Sequence, residues 1–292
     1  MEYNDFEQLE IYLERADSVI TPSNFLHKNG RPHKSSKYYV GADLGTAYIV
    51  LIALDENLQP LAGEYQFAQV VRDGLVVDYF GAIDRLKSMK ENLEKRLGVE
   101  LLDAAGAFPP GVPSAEIRST ANVIEAAGFD CVGLVDEPTA ANNLLKIQNG
   151  AIVDIGGGTT GIAVLKNGGV VYTADEATGG THFSLVIAGA KNIPFEAAEE
   201  IKKDKSMQQV LFPIVRPVME KVADIINRHL NGQDVKQIYL VGGSVCFPGF
   251  SDVIEEYTGI KTTAPSRPLF VTPIGIAMHH AVSENYKEKS NG

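Results

Sequence analysis

The chain has 292 residues, 45% of them hydrophobic, and a formal net charge of −11 at pH 7. An acidic chain without a basic stripe is a poor candidate for nucleic-acid binding, because neutralising phosphates supplies most of that affinity. The N-terminus lacks a basic leader region and no apolar run approaches a bilayer span, so we expect a cytoplasmic protein. Cys131 and Cys246 show no metal or redox spacing, which favours small buried side chains.

The first predicted element is a short amphipathic helix. Asn4 and Glu7 match a capping box, and apolar side chains recur at helical spacing over residues 6–20. The helix should end near Pro22, and the polar residues 23–37 should form a linker. Two interpretations stay open: the helix packs on its own domain, or it docks on a partner or an assembly.

Two segments about a hundred residues apart share one pattern. They are VGADLGTAYIVL at residues 40–51 and IVDIGGGTTGIAVL at residues 152–165. Each has an apolar strand, an aspartate (Asp43 or Asp154), a glycine-rich turn with threonine and a β-branched return strand. Glycine lets backbone N–H groups approach phosphate oxygens, and an aspartate can reach a hydrated divalent cation. The repeat therefore predicts two similar lobes that face one nucleotide phosphate and its metal.

A dinucleotide-binding fold is the nearest competing interpretation, because three glycines at residues 156–158 follow a strand. That fingerprint requires a helix to begin at the glycines. Here the sequence alternates and turns again at residues 167–169, which is typical of a β-hairpin. The pattern argues against a Rossmann site.

The rest of the chain alternates between strands and helices, which predicts an α/β fold. In the first lobe we expect a helix from Asp78 to Gly98, a strand at 101–108, a helix at 114–127, a strand at 131–135 and a helix that begins at Glu137. In the second lobe we expect strands to residue 173, helix over 183–230, a strand at 237–241 and a helix at 250–257. The charged stretch around Glu199 is interpreted as a solvated helix face. A last helix at 274–283 should return to the first lobe.

Four motifs in this order resemble the actin, sugar-kinase and Hsp70 superfamily: VGADLGTAY, LVDEPTAA, VDIGGGTTGIAV and YLVGGSVCFPGF. The stretch GAFPPGVPSAEIRSTANVIEAAGFDCVGLVDEPTAA is similar to Hsp70 nucleotide-binding domains. Within the superfamily, VVRDGLVVDYFGAI and DEATGGTHFSLVIAGA resemble the EutJ family of ethanolamine utilization proteins, and this likeness extends from about Tyr38 to the end.

The resemblance implies a two-lobed actin/Hsp70-like ATPase fold made of duplicated ribonuclease H-like domains. The outer subdomains would be reduced, because the chain is short. It places an N-terminal helix and linker at residues 1–37, lobe I at 38–148 with 263–292, and lobe II at 149–262.

The resemblance also assigns roles in binding ATP or ADP with Mg²⁺. Asp43 and Asp154 match acids that hold metal-bound waters, and Glu137 matches a glutamate that orients the attacking water. Together these three are the candidate catalytic residues. The candidate phosphate-binding residues are Gly45, Thr46, Gly156, Gly157, Gly158, Thr159, Gly179 and Gly180; those for adenosine are Gly242, Gly243 and Ser244; those for ribose are Glu220 and Lys221.

Two departures from the Hsp70 pattern bear on activity. Gly161 stands where Hsp70 proteins have a second acidic residue, and Cys246 stands where they have an arginine that stacks on adenine. A phosphoryl-transfer site depends mainly on positioning and charge neutralisation. We therefore expect nucleotide binding with at most slow Mg²⁺-dependent hydrolysis.

Three classes of function follow. The first is an ATP-dependent accessory or chaperone-type protein that acts on ethanolamine ammonia-lyase or its microcompartment, with lobe closure around ATP changing its affinity for a protein client. The second is a scaffold, as in cell-division and pilus-assembly relatives, in which nucleotide governs self-association. The third is a small-molecule kinase, which would need an aspartate base in a substrate cleft. The resemblance favours the first, with neither nucleic acid nor membrane insertion expected.

Overall fold

The structure is a computed structural model that describes residues 3–23, 35–72 and 75–290. The chain divides into two compact units, Met1–Lys146 with Phe270–Gly292, and Ile147–Leu269. The sequence-based division put residues 263–292 with the first lobe. The structure keeps the chain in the second unit up to Leu269, since the strand at Lys261–Thr263 pairs with a strand of that unit.

The secondary structure alternates throughout the chain. In the first unit the elements are α1 (Tyr3–Val19), β1 (Ile20–Pro22), β2 (Tyr39–Leu44), β3 (Tyr48–Leu54), β4 (Pro60–Phe67), β5 (Val71–Arg72), β6 (Leu75–Val76), α2 (Tyr79–Leu97), β7 (Asp103–Phe108), α3 (Ser114–Ala126), β8 (Asp130–Asp136) and α4 (Glu137–Leu145). In the second unit they are β9 (Gly150–Ile155), β10 (Thr160–Lys166), β11 (Gly169–Glu176), α5 (Gly180–Lys191), α6 (Phe195–Lys203), α7 (Gln208–Leu230), β12 (Gln237–Val241), α8 (Phe250–Thr258) and β13 (Lys261–Thr263). The last helix, α9 (Val271–Ser290), belongs to the first unit.

The two main sheets share one topology. Among the described residues, the first sheet has the order β1-β4-β3-β2-β7-β8 and the second has β11-β10-β9-β12-β13. In the first, β4, β3 and β2 are antiparallel while β2, β7 and β8 are parallel. In the second, β11, β10 and β9 are antiparallel while β9, β12 and β13 are parallel. The sheets therefore repeat one five-strand pattern, as the two similar sequence segments predicted.

Close backbone contacts fix α9 in the first unit. A Cβ built at Gly41 of β2 would lie 2.6 Å from Ala277 N and from Pro273 O. A Cβ at Gly275 of α9 would overlap the carbonyl oxygen of Ala140 in α4. These glycines let α9 lie directly against β2 and α4, so they also set the position of α4.

The N-terminal helix packs on its own unit. Leu9, Leu13 and Ala16 of α1 are buried. Arg96 of α2 donates to Val19 O at 2.7 Å and to Gly63 O at 2.8 Å, which joins the end of α1 to β4. Of the two interpretations left open by the sequence, the contacts support core packing. The side chain of Asn4 and residues 24–34 lie outside the described part of the chain.

We expect Leu13→Ala to lower the free energy of unfolding by about 2–5 kcal/mol, because Leu13 is fully buried and its removal leaves a cavity. Ile11, on the same helix, is 62% exposed, so Ile11→Ala should change stability by less than about 0.5 kcal/mol. Urea unfolding of both variants tests this. Equal stability of the two variants would mean that α1 is a detachable segment.

Two predictions from the sequence need correction. The helical stretch expected over 183–230 is three helices. Asn192, in a left-handed conformation with φ of 51°, and Pro194 separate α5 from α6, and a second break separates α6 from α7 after Lys203. Cys246 is exposed and Cys131 is partly buried, so the expectation of two buried cysteines is wrong.

No described helix combines the length and the apolar character that crossing a membrane requires.

Candidate functional site

The glycine-rich turn after β9 is a β-hairpin, as predicted. Asp154 lies opposite Gly161 in the antiparallel pair of β9 and β10, and Gly156 N donates to Thr159 O at 2.9 Å. The chain returns as a strand instead of starting a helix. This geometry excludes the dinucleotide fingerprint at this position.

The turn before α5 packs directly on that hairpin. Gly180 N donates to Gly156 O at 3.0 Å, and Thr181 N donates to Gly157 O at 2.7 Å. A Cβ at Gly179 would lie 2.6 Å from Gly156 O and 2.9 Å from the carbonyl carbon of Gly157. A residue with a side chain would push the two turns apart, so this contact requires glycine at position 179.

The turn after β12 reaches the same place. Ser244 Oγ donates to Gly156 O at 2.6 Å, and a Cβ at Gly180 would overlap Ser244 Oγ. Gly242 has a φ of 94°, and a Cβ there would overlap Asp154 Oδ1. Gly243 begins a short 3₁₀ turn, Gly243–Cys246. Two glycine-rich turns that are far apart in sequence thus pack on the hairpin at Gly156, and one of them, at Gly242, also lies against Asp154.

Asp154 is the acidic group of this cluster and is only 8% exposed. Carboxylate oxygens, threonine hydroxyls and glycine backbone are the groups that hydrated Mg²⁺ and phosphate need. Gly242 lies against this carboxylate, since a Cβ there would overlap Asp154 Oδ1. The residues present therefore fit a nucleotide phosphate with its metal.

A buried polar cluster supports the turn at Gly180. Lys202 Nζ donates to Gly180 O at 3.1 Å and to Ser184 Oγ at 2.8 Å, and Glu199 contacts both Lys202 and Ser184. Burial lowers the pKa of Lys202, and the charge of Glu199 opposes that shift. The interpretation of this stretch as a solvated face is wrong for Glu199, which is 5% exposed. No sequence pattern indicates this burial, because it depends on the contact of Glu199 and Lys202 with Ser184 of α5.

The predicted ribose residues, Glu220 and Lys221, lie on α7 of the second unit. Glu220 accepts a hydrogen bond from Arg216 at 2.8 Å, and Arg216 also binds Glu256 of α8 at 2.9 Å. Lys221 is exposed on α7. Glu220 thus takes part, through Arg216, in an ion network between α7 and α8.

The first unit contains the matching hairpin. Asp43 lies near the end of β2, opposite Val50 of β3, and Gly45 N donates to Tyr48 O at 3.0 Å. A Cβ at Gly45 would lie 2.8 Å from Tyr48 O. Asp43 and Thr46 are half-buried at this turn. The arrangement repeats that of Asp154 and its turn, within the first unit alone.

Glu137 is the first residue of α4, directly after β8. Asp136 caps the helix, since its Oδ1 accepts the Thr139 N–H at 3.0 Å. Pro138 occupies the first turn, where a missing N–H costs nothing. Glu137 is thus held on a capped helix start and is half-buried.

Comparison with known proteins decides the family. The chain is 44% identical over 240 residues to the ethanolamine utilization protein EutJ of Salmonella typhimurium, which covers 82% of this chain and 84% of that protein. The chain belongs to the EutJ family. The crystal structure of EutJ from Carboxydothermus hydrogenoformans matches with a TM-score of 0.86 and 44% identity, covering 94% of this chain and 99% of that one.

More distant matches place the EutJ fold among the actin-like ATPases, as predicted. The family model for the MreB/Mbl protein matches residues 62–191, and that for the type IV pilus assembly protein PilM matches residues 139–271. The crystal structure of MreB5 of Spiroplasma citri bound to AMPPNP has a TM-score of 0.70 at 17% identity, covering 88% of this chain and 100% of that one. This EutJ family member therefore has the predicted mixed α/β fold of actin-like ATPases.

Proposed function

We propose that this EutJ family member binds ATP with Mg²⁺ and acts as a nucleotide-dependent accessory protein of ethanolamine utilization. The observation that carries the proposal is the meeting of three glycine-rich turns beside Asp154 in the second unit. At Gly179 and Gly180 a side chain would overlap atoms of Gly156 and Ser244, and at Gly242 it would overlap Asp154 Oδ1, so the turns must be glycine to meet here. Glycine-rich turns let backbone N–H groups approach an anion, which suits phosphate oxygens.

Each proposed role follows from the position of a side chain. In the second unit, Asp154 would hold waters of the metal ion and Thr159 would donate to phosphate oxygens. The resemblance assigns the same two roles to Asp43 and Thr46 of the first unit. When bound, Mg²⁺ neutralises phosphate charge. Gly242 and Gly243, with Ser244, would contact the adenosine through backbone and a small side chain. Lys202 would keep the Gly179–Gly180 turn in place, because it holds Gly180 O.

The proposal extends to slow hydrolysis of the bound ATP. Glu137 would orient the attacking water from the capped start of α4. Gly161 supplies no carboxylate on β10, so we expect at most slow turnover. Measuring phosphate release by the parent protein and by Glu137→Gln tests this role, since a real but slow activity should fall about 10²- to 10⁴-fold in the variant. Unchanged release would point to a contaminating ATPase.

Calorimetric titration tests nucleotide binding directly. We expect the parent protein to bind Mg-ATP in the micromolar range, to bind ATP in EDTA more weakly, and to discriminate against Mg-GTP. The MreB5 structure bound to AMPPNP supports nucleotide binding in this fold. Absence of binding by a folded parent would contradict the proposal and direct attention to the surfaces of the protein.

The family name supports a client in ethanolamine utilization. We propose ethanolamine ammonia-lyase, or a component of the microcompartment that surrounds it, as the partner, with nucleotide state setting the affinity. Capture of the purified candidate on immobilised protein, with and without Mg-ATP, tests this. Equal capture in both states would contradict nucleotide-dependent binding.

A nucleotide-dependent scaffold is the second candidate, because the PilM and MreB/Mbl family models both match this chain. That function predicts self-association that changes with nucleotide. Sedimentation velocity with and without Mg-ATP distinguishes the two, since an accessory protein should keep one sedimentation coefficient in the absence of its client.

A further inference from the structure

Three strands of the second unit place Asp154, Gly161 and Asp175 in one row across the sheet. Asp154 of β9 lies opposite Gly161 of β10, and Gly161 lies opposite Asp175 of β11. Residues directly opposite each other in antiparallel pairs project to the same face. Both carboxylates therefore project to one face, and Gly161 places no side chain between them.

The alternation of neighbouring residues identifies that face. Val153 and Ile162 belong to the apolar core of the second unit, and Ala174 packs against that core. Their neighbours in the row, Asp154 and Asp175, must face the other side of the sheet. The next acid on β11, Glu176, pairs with Thr160 on the core side and binds His229 Nε2 at 2.9 Å.

The spacing suits a hydrated ion. Neighbouring strands lie about 4.8 Å apart, so two strand spacings separate the two aspartate backbones by about 10 Å. Mg²⁺ holds its waters at about 2.1 Å, and each water can reach a carboxylate oxygen about 2.7 Å further away. Two aspartates that lean toward the residue between them can therefore share the waters of one ion.

Strand β11 also ties Asp175 to the phosphate cradle. Thr160 Oγ1 donates to Thr178 O at 2.6 Å, so the segment that follows β11 is fixed to β10. Gly179 comes next and packs on Gly156. Asp175 and the Gly179 turn are thus held against the same hairpin as Asp154.

We propose that Asp175 is the second carboxylate of the magnesium site in this unit. It takes over, from the neighbouring strand, the place of the acid that Hsp70 proteins have at the position of Gly161. The inference rests on the proposed binding of Mg-ATP. In this arrangement the site keeps two carboxylates. The second one comes from Asp175 on β11 instead of from position 161 on β10.

Asp175→Asn tests the inference through its dependence on metal. In the presence of Mg²⁺ the affinity for ATP should fall about 10- to 100-fold, because one water-holding carboxylate is lost. In EDTA the affinity should stay the same or rise, because a negative charge beside the triphosphate has been removed. Calorimetry at fixed ionic strength measures both. A purely structural role would weaken both titrations alike and would overturn the inference.

Glu176→Gln is the matched control, since it makes the same charge change one residue further along on the opposite face. Its Mg-ATP affinity should stay within about twofold of the parent, as expected for a side chain outside the site. Rescue provides the second arm: Gly161→Asp in the Asp175→Asn background should restore most of the Mg²⁺-dependent affinity. Asp175→Ser replaces Asp175→Asn if thermal unfolding shows that the latter does not fold.

The outcomes separate the two hypotheses. If the folded parent does not bind Mg-ATP, the proposed function fails. If the parent binds and Asp175→Asn matches it with and without Mg²⁺, only the role of Asp175 fails. A selective loss with Mg²⁺, restored by Gly161→Asp, supports both.

Discussion

Asp154→Ala is expected to remove measurable Mg-ATP binding, with a loss of affinity of at least about 100-fold. Asp154 is 8% exposed and lies against the Gly242 turn, so water cannot easily replace its carboxylate. Calorimetry gives the affinity. Thermal unfolding gives an independent measure, because a ligand at 100 times its Kd stabilises a protein by about 2.7 kcal/mol. The increase in Tm on adding Mg-ATP should disappear in the variant.

Asp252→Ala is the control for this prediction, since it removes an exposed carboxylate from α8 of the same unit. It should keep both the affinity and the Mg-ATP-induced rise in Tm. An Asp154→Ala protein that folds and binds Mg-ATP as the parent does would contradict the assignment of the second hairpin to the metal.

Gly275→Ala is expected to destabilise the first unit by about 3 kcal/mol or more, near the upper end of effects seen for overpacking. The added Cβ would overlap the carbonyl oxygen of Ala140, which is backbone and cannot move without shifting α4. Asn143 Nδ2 donates to Gly275 O at 3.2 Å, so α9 and α4 are already joined at this point. Urea unfolding measures the loss.

Gly189→Ala provides the matched control, because Gly189 lies inside α5 with no atom near its Cβ position. Alanine there should stabilise the protein by about 0.5–1 kcal/mol, as expected for a helix interior. If the two substitutions shift the urea midpoint in the same direction, the close packing of α9 on α4 is contradicted.

Local sequence signals predicted many element ends correctly. Asp78 caps α2 through Gly81 N at 2.9 Å, and Gly98 ends that helix with a φ of 70°. Both patterns act within one turn of the chain, so the sequence alone contains them. The hairpins at Asp43 and Asp154 are also formed by consecutive residues, so their repeated pattern could be recognised in the sequence.

What the sequence did not predict depends on contacts between distant segments. Glu199 and Lys202 have the composition of a solvated helix face, and only the packing of α6 on Ser184 of α5 buries them. The position of Asp175 opposite Gly161 follows from strand register, which a hydrophobic pattern does not specify for a short glycine-containing strand.

Strand β1 has a consequence for association between molecules. It pairs in parallel with β4 over Gly63–Tyr65 and so covers a strand edge that would otherwise offer unpaired N–H and C=O groups. β1 is now the edge strand of the sheet. Its last residue, Pro22, has no backbone N–H, so this edge offers one hydrogen-bond donor fewer to another chain. Deleting the N-terminal segment would therefore create an aggregation-prone edge. Substitutions on the outer face of α1, such as Ile11→Ala, probe partner binding while the edge stays covered.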